Sequence, residues 1–522
     1  MLNPIKNTFH AHKWQATFCI VAILLFLVLV TYASSGPYID DHYWYLADIE
    51  SILQGRGVQS NNIFPIEAIQ GKVINNPPFV HNSPFIYIAA VLGIFFGAYS
   101  GWILLSILCS LLAAWLIYKT VSLVANTSKA LLAGGFYLLL PSTIWVSSEL
   151  IVEAMIAPFI VWIVYLYLSS KDRFLPWIWM ILMAVFVSIT KANFVLLLAI
   201  IPGAYLVHHW RKKFYILRTF ALVFVAIITF FVITPLFPNN AASSENALQS
   251  YLNIIHVGVP GKTSNMESYF NIHPTNYSFD EYVENLVLKT KKSLRLQLLN
   301  VNLDGIAFYI PFNILYLLCI TGLFFSIRRK KMLERKLYGA AIVLYFVYLL
   351  TICLMQNQFR YMQMFYPIPL IGAFGYAYHR HKEFPKHQKK QLFNTVLFSI
   401  VTLFLVYISF TLIQQQRAYG ISAAERYQTF SESIHSVPAT DAIMVEGIKY
   451  YTLYGYVLQP RRVLYVIDSY TQKDLETIMR NGSATWLLCE DSSPIIDTLH
   501  LLGTPRTRLL SPLENLVLVK LE

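Results

Sequence analysis

Charge is what this 522-residue sequence has least of. Asp, Glu, Lys and Arg make up 13% of it, about half of what a soluble domain carries. A shortage on that scale excludes an ordinary soluble enzyme. Cysteine is scarce as well. Cys19, Cys109, Cys319 and Cys353 lie inside apolar runs and only Cys489 falls in a polar segment, so no disulfide framework is expected. There is no glycine-rich phosphate loop, hence no expected nucleotide cofactor. The loop histidines His42 and His81 have no partner at metal-ligand spacing, so no metal is expected either. No internal repeat and no low-complexity segment interrupts the chain.

What fills the space is apolar. Hydrophobic residues reach 56%, aromatics 15%, and the mean hydropathy is +0.51. Runs of about 20 apolar residues cross a bilayer, and this chain has many. The expected spans are Trp14–Tyr32, Trp102–Tyr118, Ala130–Val146, Ile151–Leu168, Phe174–Thr190 and Ala192–Val207. Phe220–Leu236, Ile306–Ile327, Leu337–Leu354, Tyr361–Tyr378 and Leu392–Ile413 follow. The reading is a polytopic α-helical membrane protein of about eleven transmembrane helices. The first run also has the shape of a signal peptide, with Thr31 and Ala33 near a cut site, but an uncleaved span is the simpler reading. The net charge of +12 does not point to nucleic acid, because the basic residues sit in short loops between the runs, where they orient the chain in the membrane.

Those loops set a topology. Arg328, Arg329, Lys330 and Lys331 mark one loop as cytoplasmic, Arg380, Lys382 and Lys386 another, and Arg211, Lys212 and Lys213 a third. Lys6 and Lys13 place the N-terminus inside. Parity then closes only if the short apolar stretch Pro84–Ala98 does not cross, but lies on the outer face or dips in and returns. Outer segments 36–101 and 238–305 are expected, with the transmembrane part ending at residue 413. Residues 414–522 read as a small extracytoplasmic α/β domain, since "AIMVEG", "VLYVID", "TWLLCE" and "LVLVKL" look like strands separated by helical segments.

Ionisable residues at a membrane boundary are costly and are candidates for function. Asp40 and Asp41 follow the first span, Glu149 and Glu153 begin the fourth, Lys191 sits between the fifth and sixth, and Arg360 and Tyr361 open the tenth. All belong to one level, the outer one. Each has a plainer explanation. Asp40 and Asp41 suit a helix N-cap, Glu153 suits simple pairing with a cation, and Lys191 and Arg360 suit interfacial anchors. The basic run "LKTKKSLRLQ", with Lys291, Lys292 and Arg295, is either a solvated helix face, a patch for anionic headgroups or a weak substrate contact.

Several stretches, in order, resemble the GT-C polyprenyl-phosphate-sugar glycosyltransferases, most closely the protein mannosyltransferase and aminoarabinose transferase group. They are "YIDDHYWYLADIESILQGRG", "NNPPFVHNSPFIYIAAVLG", "VEAMIAPFIVWIVYLYL", "SITKANFVLLLAIIP" and "FRYMQMFYPIP". The likeness covers roughly Met1 to Tyr378. There are departures. The aminoarabinose transferases carry Glu-Lys before the double proline where this chain has Asn75 and Asn76, which argues against aminoarabinose and lipid A. The second acid, usually Asp, would here be Glu153, and the prolines after Arg360-Tyr361 are spaced differently.

The resemblance implies a fold, a donor and a mechanism. The donor is a sugar on a polyprenyl phosphate such as undecaprenyl phosphate, with its tail in the bilayer. Asp40 takes the acceptor proton as the hydroxyl attacks the anomeric carbon, Asp41 orients it, and Glu153 is the second acid. Arg360, then Lys191, with Tyr361 beside them, steady the leaving phosphate. Asn76 and His81 are weaker candidates for substrate contact. A single displacement inverts the anomeric centre. The expected acceptor is a cell-surface glycan such as O-antigen or another part of lipopolysaccharide, with a protein hydroxyl second. The expected place is a bacterial inner membrane, N-terminus in the cytoplasm and C-terminus in the periplasm. A lipid-linked sugar flippase shares the spans but calls for inverted repeats, which are not found, and a structural scaffold leaves the level set of charges unexplained.

Overall fold

The structure is a computed structural model. It describes residues 13–34, 40–57, 62–63, 68–69, 84–170, 173–191, 194–233, 278–299, 308–328, 332–354, 360–383, 388–434, 437–446, 458, 461–501, 504, 506–508 and 516–521. The bundle begins with α1 (Lys13–Ala33), α2 (Asp40–Leu53), the two-residue strand β1 (Asn62–Ile63), α3 (Pro84–Phe96) and α4 (Ala98–Val124). It continues with α5 (Thr127–Leu138), α6 (Pro141–Ser147), α7 (Glu153–Ser169), α8 (Leu175–Thr190), α9 (Val195–His209) and α10 (Tyr215–Ile233). It ends with α11 (Phe279–Leu299), α12 (Ile310–Arg328), α13 (Met332–Leu354), α14 (Arg360–Gln363), α15 (Pro367–Glu383) and α16 (Gln388–Ser433).

Each expected span overlaps helix, but two are broken: Ala130–Val146 covers α5 and α6, and Tyr361–Tyr378 covers α14 and α15. The span ends at 192–193, 234–236 and 306–307 lie outside the described residues. Among the described residues, five are long and apolar enough to cross a membrane by themselves: α1, α4, α10, α12 and the 398–418 part of α16. A sixth is α5 with α6, which bend by 54° at Leu139–Leu140. The helices α7, α8 and α9 are apolar but only 15 to 17 residues long. At 1.5 Å per residue they rise about 23–26 Å, short of a hydrocarbon core of about 30 Å.

Helix α3 is the stretch expected not to cross. Its 13 residues rise about 20 Å, too little for a span. It folds back on α4 through Gly97, whose φ of 84° is open to glycine and strained for other residues. The two helices touch backbone to backbone: a Cβ at Gly101 would lie 2.7 Å from the Gly93 nitrogen and 2.8 Å from the Ala89 oxygen. Its outward face is apolar, with Ile88, Val91, Ile94, Phe95 and Phe96 all exposed. A helix apolar on its free side suits contact with lipid.

The α/β part comprises β2 (Ala442–Glu446), β3 (Arg462–Val466), α17 (Gln472–Gly482), β4 (Ala484–Glu490), α18 (Pro494–Thr498), β5 (Arg506–Arg508) and β6 (Leu516–Lys520). All four strand-like runs are strands. The sheet order is β1-β3-β2-β4-β6-β5, parallel from β1 to β4 and antiparallel at β6 and β5. Two features differ from the division drawn at residue 413. Helix α16 runs unbroken through it, from Gln388 to Ser433. And the sheet takes its edge strand β1 from the first outer segment, with Ala68 in the domain core and Asn481 Nδ2 donating to the Ala68 carbonyl at 2.6 Å.

Strand pairing also tests parity. Since β1 pairs β3, residues 62–63 and the α/β part lie on one side of the membrane. The expected spans between them are even in number, and a crossing by α3 would make that number odd.

Candidate functional site

The site assembles where the short helices end. Glu153 is the first residue of α7, and Lys191 ends α8 in an extended conformation, its N–H bonded back to the Val187 carbonyl. Both side chains are buried, at 1% and 7% exposure, and Lys191 Nζ donates to Glu153 Oε1 at 2.5 Å. The ammonium also lies 4.5 Å from the centre of the Tyr361 ring, within range of a cation–π interaction. An ion pair at this depth must be satisfied within the protein, because water does not reach it to replace lost partners.

Gln363 fixes Tyr361 there. Helix α14 is four residues long, too short to hold itself. The Gln363 amide donates to Tyr137 Oη at 3.1 Å and to Thr143 Oγ1 at 2.9 Å. Tyr137 is in α5 and Thr143 in α6, so one side chain bridges the bend and docks α14 against both arms. Phe365 stacks on Phe194, ring centres 5.5 Å apart, and Phe194 N–H bonds the Lys191 carbonyl.

A second buried acid stands four residues before Glu153. Glu149 Oε1 accepts from Gln416 Nε2 at 2.9 Å, and the same nitrogen is 3.0 Å from Ser148 Oγ. Gln416 belongs to α16, so the last membrane helix is hooked onto the α6–α7 junction. The next residue, Arg417, lies over the Tyr32 ring of α1 at 4.2 Å. First and last spans thus meet at the same level. Ser147 joins α4 through Ser110, oxygen to oxygen 2.8 Å.

The expected residues divide. Glu153, Lys191 and Tyr361 are brought together as one buried cluster. Asp40 and Asp41 open α2 and Arg360 opens α14, but the side chains of these three lie outside the described residues. Asn76 and His81 also lie outside them. Lys291, Lys292 and Arg295 are exposed on α11, apart from the buried cluster. Three polar residues had no role from sequence: Gln363, Gln416 and Asp48. For Gln363 the available signal was a glutamine among apolar residues; Gln416 closes a run of three glutamines just past the last expected span. Asp48 is 2% exposed on α2, one turn beyond Tyr45, which stacks on Trp102 with ring centres 4.6 Å apart. Its Oδ2 has no hydrogen bond among the described residues, and burial pushes its pKa up to about 8. No group of His, Cys, Asp or Glu among the described residues is gathered as a metal site.

No family model matches the sequence, and no curated protein matches it. Solved structures do. The oligosaccharyltransferase AglB of Archaeoglobus fulgidus, in its apo form, superposes with a TM-score of 0.57, covering 92% of this chain and 70% of its own at 12% identity. The same protein in complex with an inhibitory peptide and a dolichol-phosphate gives 0.56 over the same shares. The fold is shared with AglB. ArnT from Cupriavidus metallidurans, bound to undecaprenyl phosphate, aligns over 98% of both chains at 12% identity, with a TM-score of 0.44 that is too low to bear on the fold. At such identities the likeness to AglB shows the fold alone.

Proposed function

We propose that this protein is an inverting glycosyltransferase that takes a sugar from a polyprenyl phosphate on the outer side of a bacterial inner membrane. The observation that carries the reading is the buried Glu153–Lys191–Tyr361 cluster. In a GT-C bundle it sits at the start of α7 and the end of α8. A lipid-borne phosphate needs a fixed cation beside the bilayer, because its tail must remain in hydrocarbon. AglB, which shares the fold, has been seen with a dolichol-phosphate.

The chemistry follows from the residues. The acceptor oxygen bonds to the anomeric carbon as the bond from that carbon to the phosphate oxygen breaks. Asp40 receives the hydroxyl proton and polyprenyl phosphate departs with the electron pair. Arg360 meets two phosphate oxygens at once. Lys191 is the second cation, and Glu153 is a positioning residue that holds it, with Tyr361 on its other side. Preorganised cations of this kind act because they need no rearrangement as charge develops. N-terminus in the cytoplasm and C-terminus in the periplasm complete the picture.

The acceptor we favour is a cell-surface glycan such as O-antigen or another part of lipopolysaccharide. A protein hydroxyl is the second reading. Mass spectrometry of surface glycans and glycoproteins from cells with and without the gene tests both. Loss of a hexose or pentose from the glycan supports the first, loss from a peptide the second, and no lost sugar removes the transferase reading.

A further inference from the structure

Helix α11 carries the basic run that the site does not use. It starts itself: Ser278 N–H bonds Glu281 Oε2 at 2.8 Å and Glu281 N–H bonds Ser278 Oγ at 3.3 Å, a reciprocal cap. At about 100° per residue, its 21 residues fall into three sectors. Asn285, Lys289 and Ser293 share one and are buried where α11 packs on α12 and α13. Val283, Val287 and Leu294 share the opposite one and are 44%, 46% and 38% exposed. Lys291, Arg295 and Lys292 are exposed in a third, which runs from the apolar sector round to the buried one and also holds exposed Asp280, Glu284 and Leu288. This inverts the arrangement of a helix on a water-soluble protein, which turns its apolar side inward. Polar inward and apolar outward is stable where the outside is hydrocarbon.

The charge along the helix is also ordered. Asp280 and Glu284 lie in the first two turns and the three cations in the last half. Helix α11 packs on the membrane helices α12 and α13, and residues 300–307 join its cationic end to the start of α12. An apolar stripe flanked by Lys and Arg beside membrane helices fits an anionic lipid surface.

We propose that α11 is a bilayer-surface helix. Val283, Val287 and Leu294 enter the acyl region, and Lys291, Lys292 and Arg295 hold the phosphate headgroups of anionic lipids. These cations then enrich the lipid pool around the protein rather than bind the acceptor. Near an anionic surface each basic residue favours the lipid roughly fivefold, so the three together should matter tenfold or more.

Two measurements on the full-length protein test this, neither of which depends on sugar transfer. The first places nitroxides at Leu294→Cys and Arg295→Cys, one at a time with the native cysteines replaced, in nanodiscs of phosphatidylcholine and phosphatidylglycerol. These neighbours are about 100° apart on the helix. Position 294 should be relaxed by oxygen, which partitions into lipid, and 295 by a water-soluble nickel complex. The second counts phosphatidylglycerol retained in native mass spectra. Replacing Lys291, Lys292 and Arg295 together with Gln should lower it tenfold or more. The proposal fails if 294 is as open to nickel as 295, if both reagents are excluded there by a bound protein, or if the triple variant retains phosphatidylglycerol like the wild type.

Discussion

Replacing Lys191 by Met removes one charge from the buried pair while keeping most of the stem's volume. Glu153, 1% exposed, is then left as a carboxylate without its cation. Breaking a buried ion pair by removing one partner costs about 3–5 kcal/mol. The variant has one relief, to protonate Glu153. Placing a proton on an ordinary carboxyl at pH 7 costs about 4 kcal/mol, at 1.36 kcal/mol per unit above a reference of about 4.3. Relief therefore caps the loss near about 4 kcal/mol, and the lost Tyr361 contact is part of the same sum. The penalty should shrink by about 1.4 kcal/mol for each unit of pH below 7 until the reference value is reached. In the double variant Glu153→Gln with Lys191→Met, no charge is stranded, and most of the stability should return. Sugar transfer should not return, because the second cation is still missing. Reversible unfolding in dodecyl sulfate, followed by circular dichroism at pH 5, 6 and 7, reads the stability part. If Lys191→Met unfolds within 1 kcal/mol of wild type, or the double variant is no better than the single one, the pair does not hold this end of the bundle.

Four further outcomes are expected. Asp40→Asn keeps a good N-cap for α2, so it should fold normally but lose transfer at least about 100-fold if the carboxylate is the base; purified enzyme with a synthetic polyprenyl-phosphate sugar measures this, and more than a tenth of wild-type rate counts against the role. Arg360→Lys should lose most activity in the same assay, since an ammonium cannot take two phosphate oxygens side by side, whereas an anchor would be served equally by Lys. Asp48, with a folded pKa of about 8, holds its proton in the folded state at pH values where the unfolded chain has released it; stability should therefore fall as pH rises from about 4 to about 8, and Asp48→Asn should be the more stable protein at pH 8 and lose much of that slope in thermal melts. Ser100→Cys, exposed at the start of α4, should react with a membrane-impermeant maleimide added to the outside of intact spheroplasts; labelling only from the cytoplasmic side would mean that α3 crosses.

The helices were legible because a bilayer imposes one rule, apolar length, and composition reports it directly. The four strand-like runs were legible for a related reason: β2, β3, β4 and β6 are buried strands and read as short apolar runs. Pairings were less so. Glu153 and Lys191 stood at one level in the sequence, but their direct contact depends on where α7 and α8 end, and helix ends blur by a residue or two. The bridges made by Gln363 and Gln416 were not legible, since a glutamine gives no hint of which distant helix it will join. Asp48 carried no signal in the sequence, because its burial depends on how α2 packs against the helices that follow it. The strand β1 could not have been found: two residues have no periodicity.

That two-residue strand has a consequence for how the chain is made. Residues 62–63 leave the ribosome about 400 residues before Val463 and Leu464, their partners in β3. At roughly 5–20 residues per second the interval lasts roughly 20–80 s. Throughout it the acids at the head of α2 are attached to a segment with no strand to pair with, while span after span is inserted. The segment is secured only when the last hundred residues arrive. A chain arrested or cut before β3 would have every membrane helix and still leave β1 without its partner strand. Completion of the α/β domain is thus the final step that ties the beginning of the polypeptide to its end.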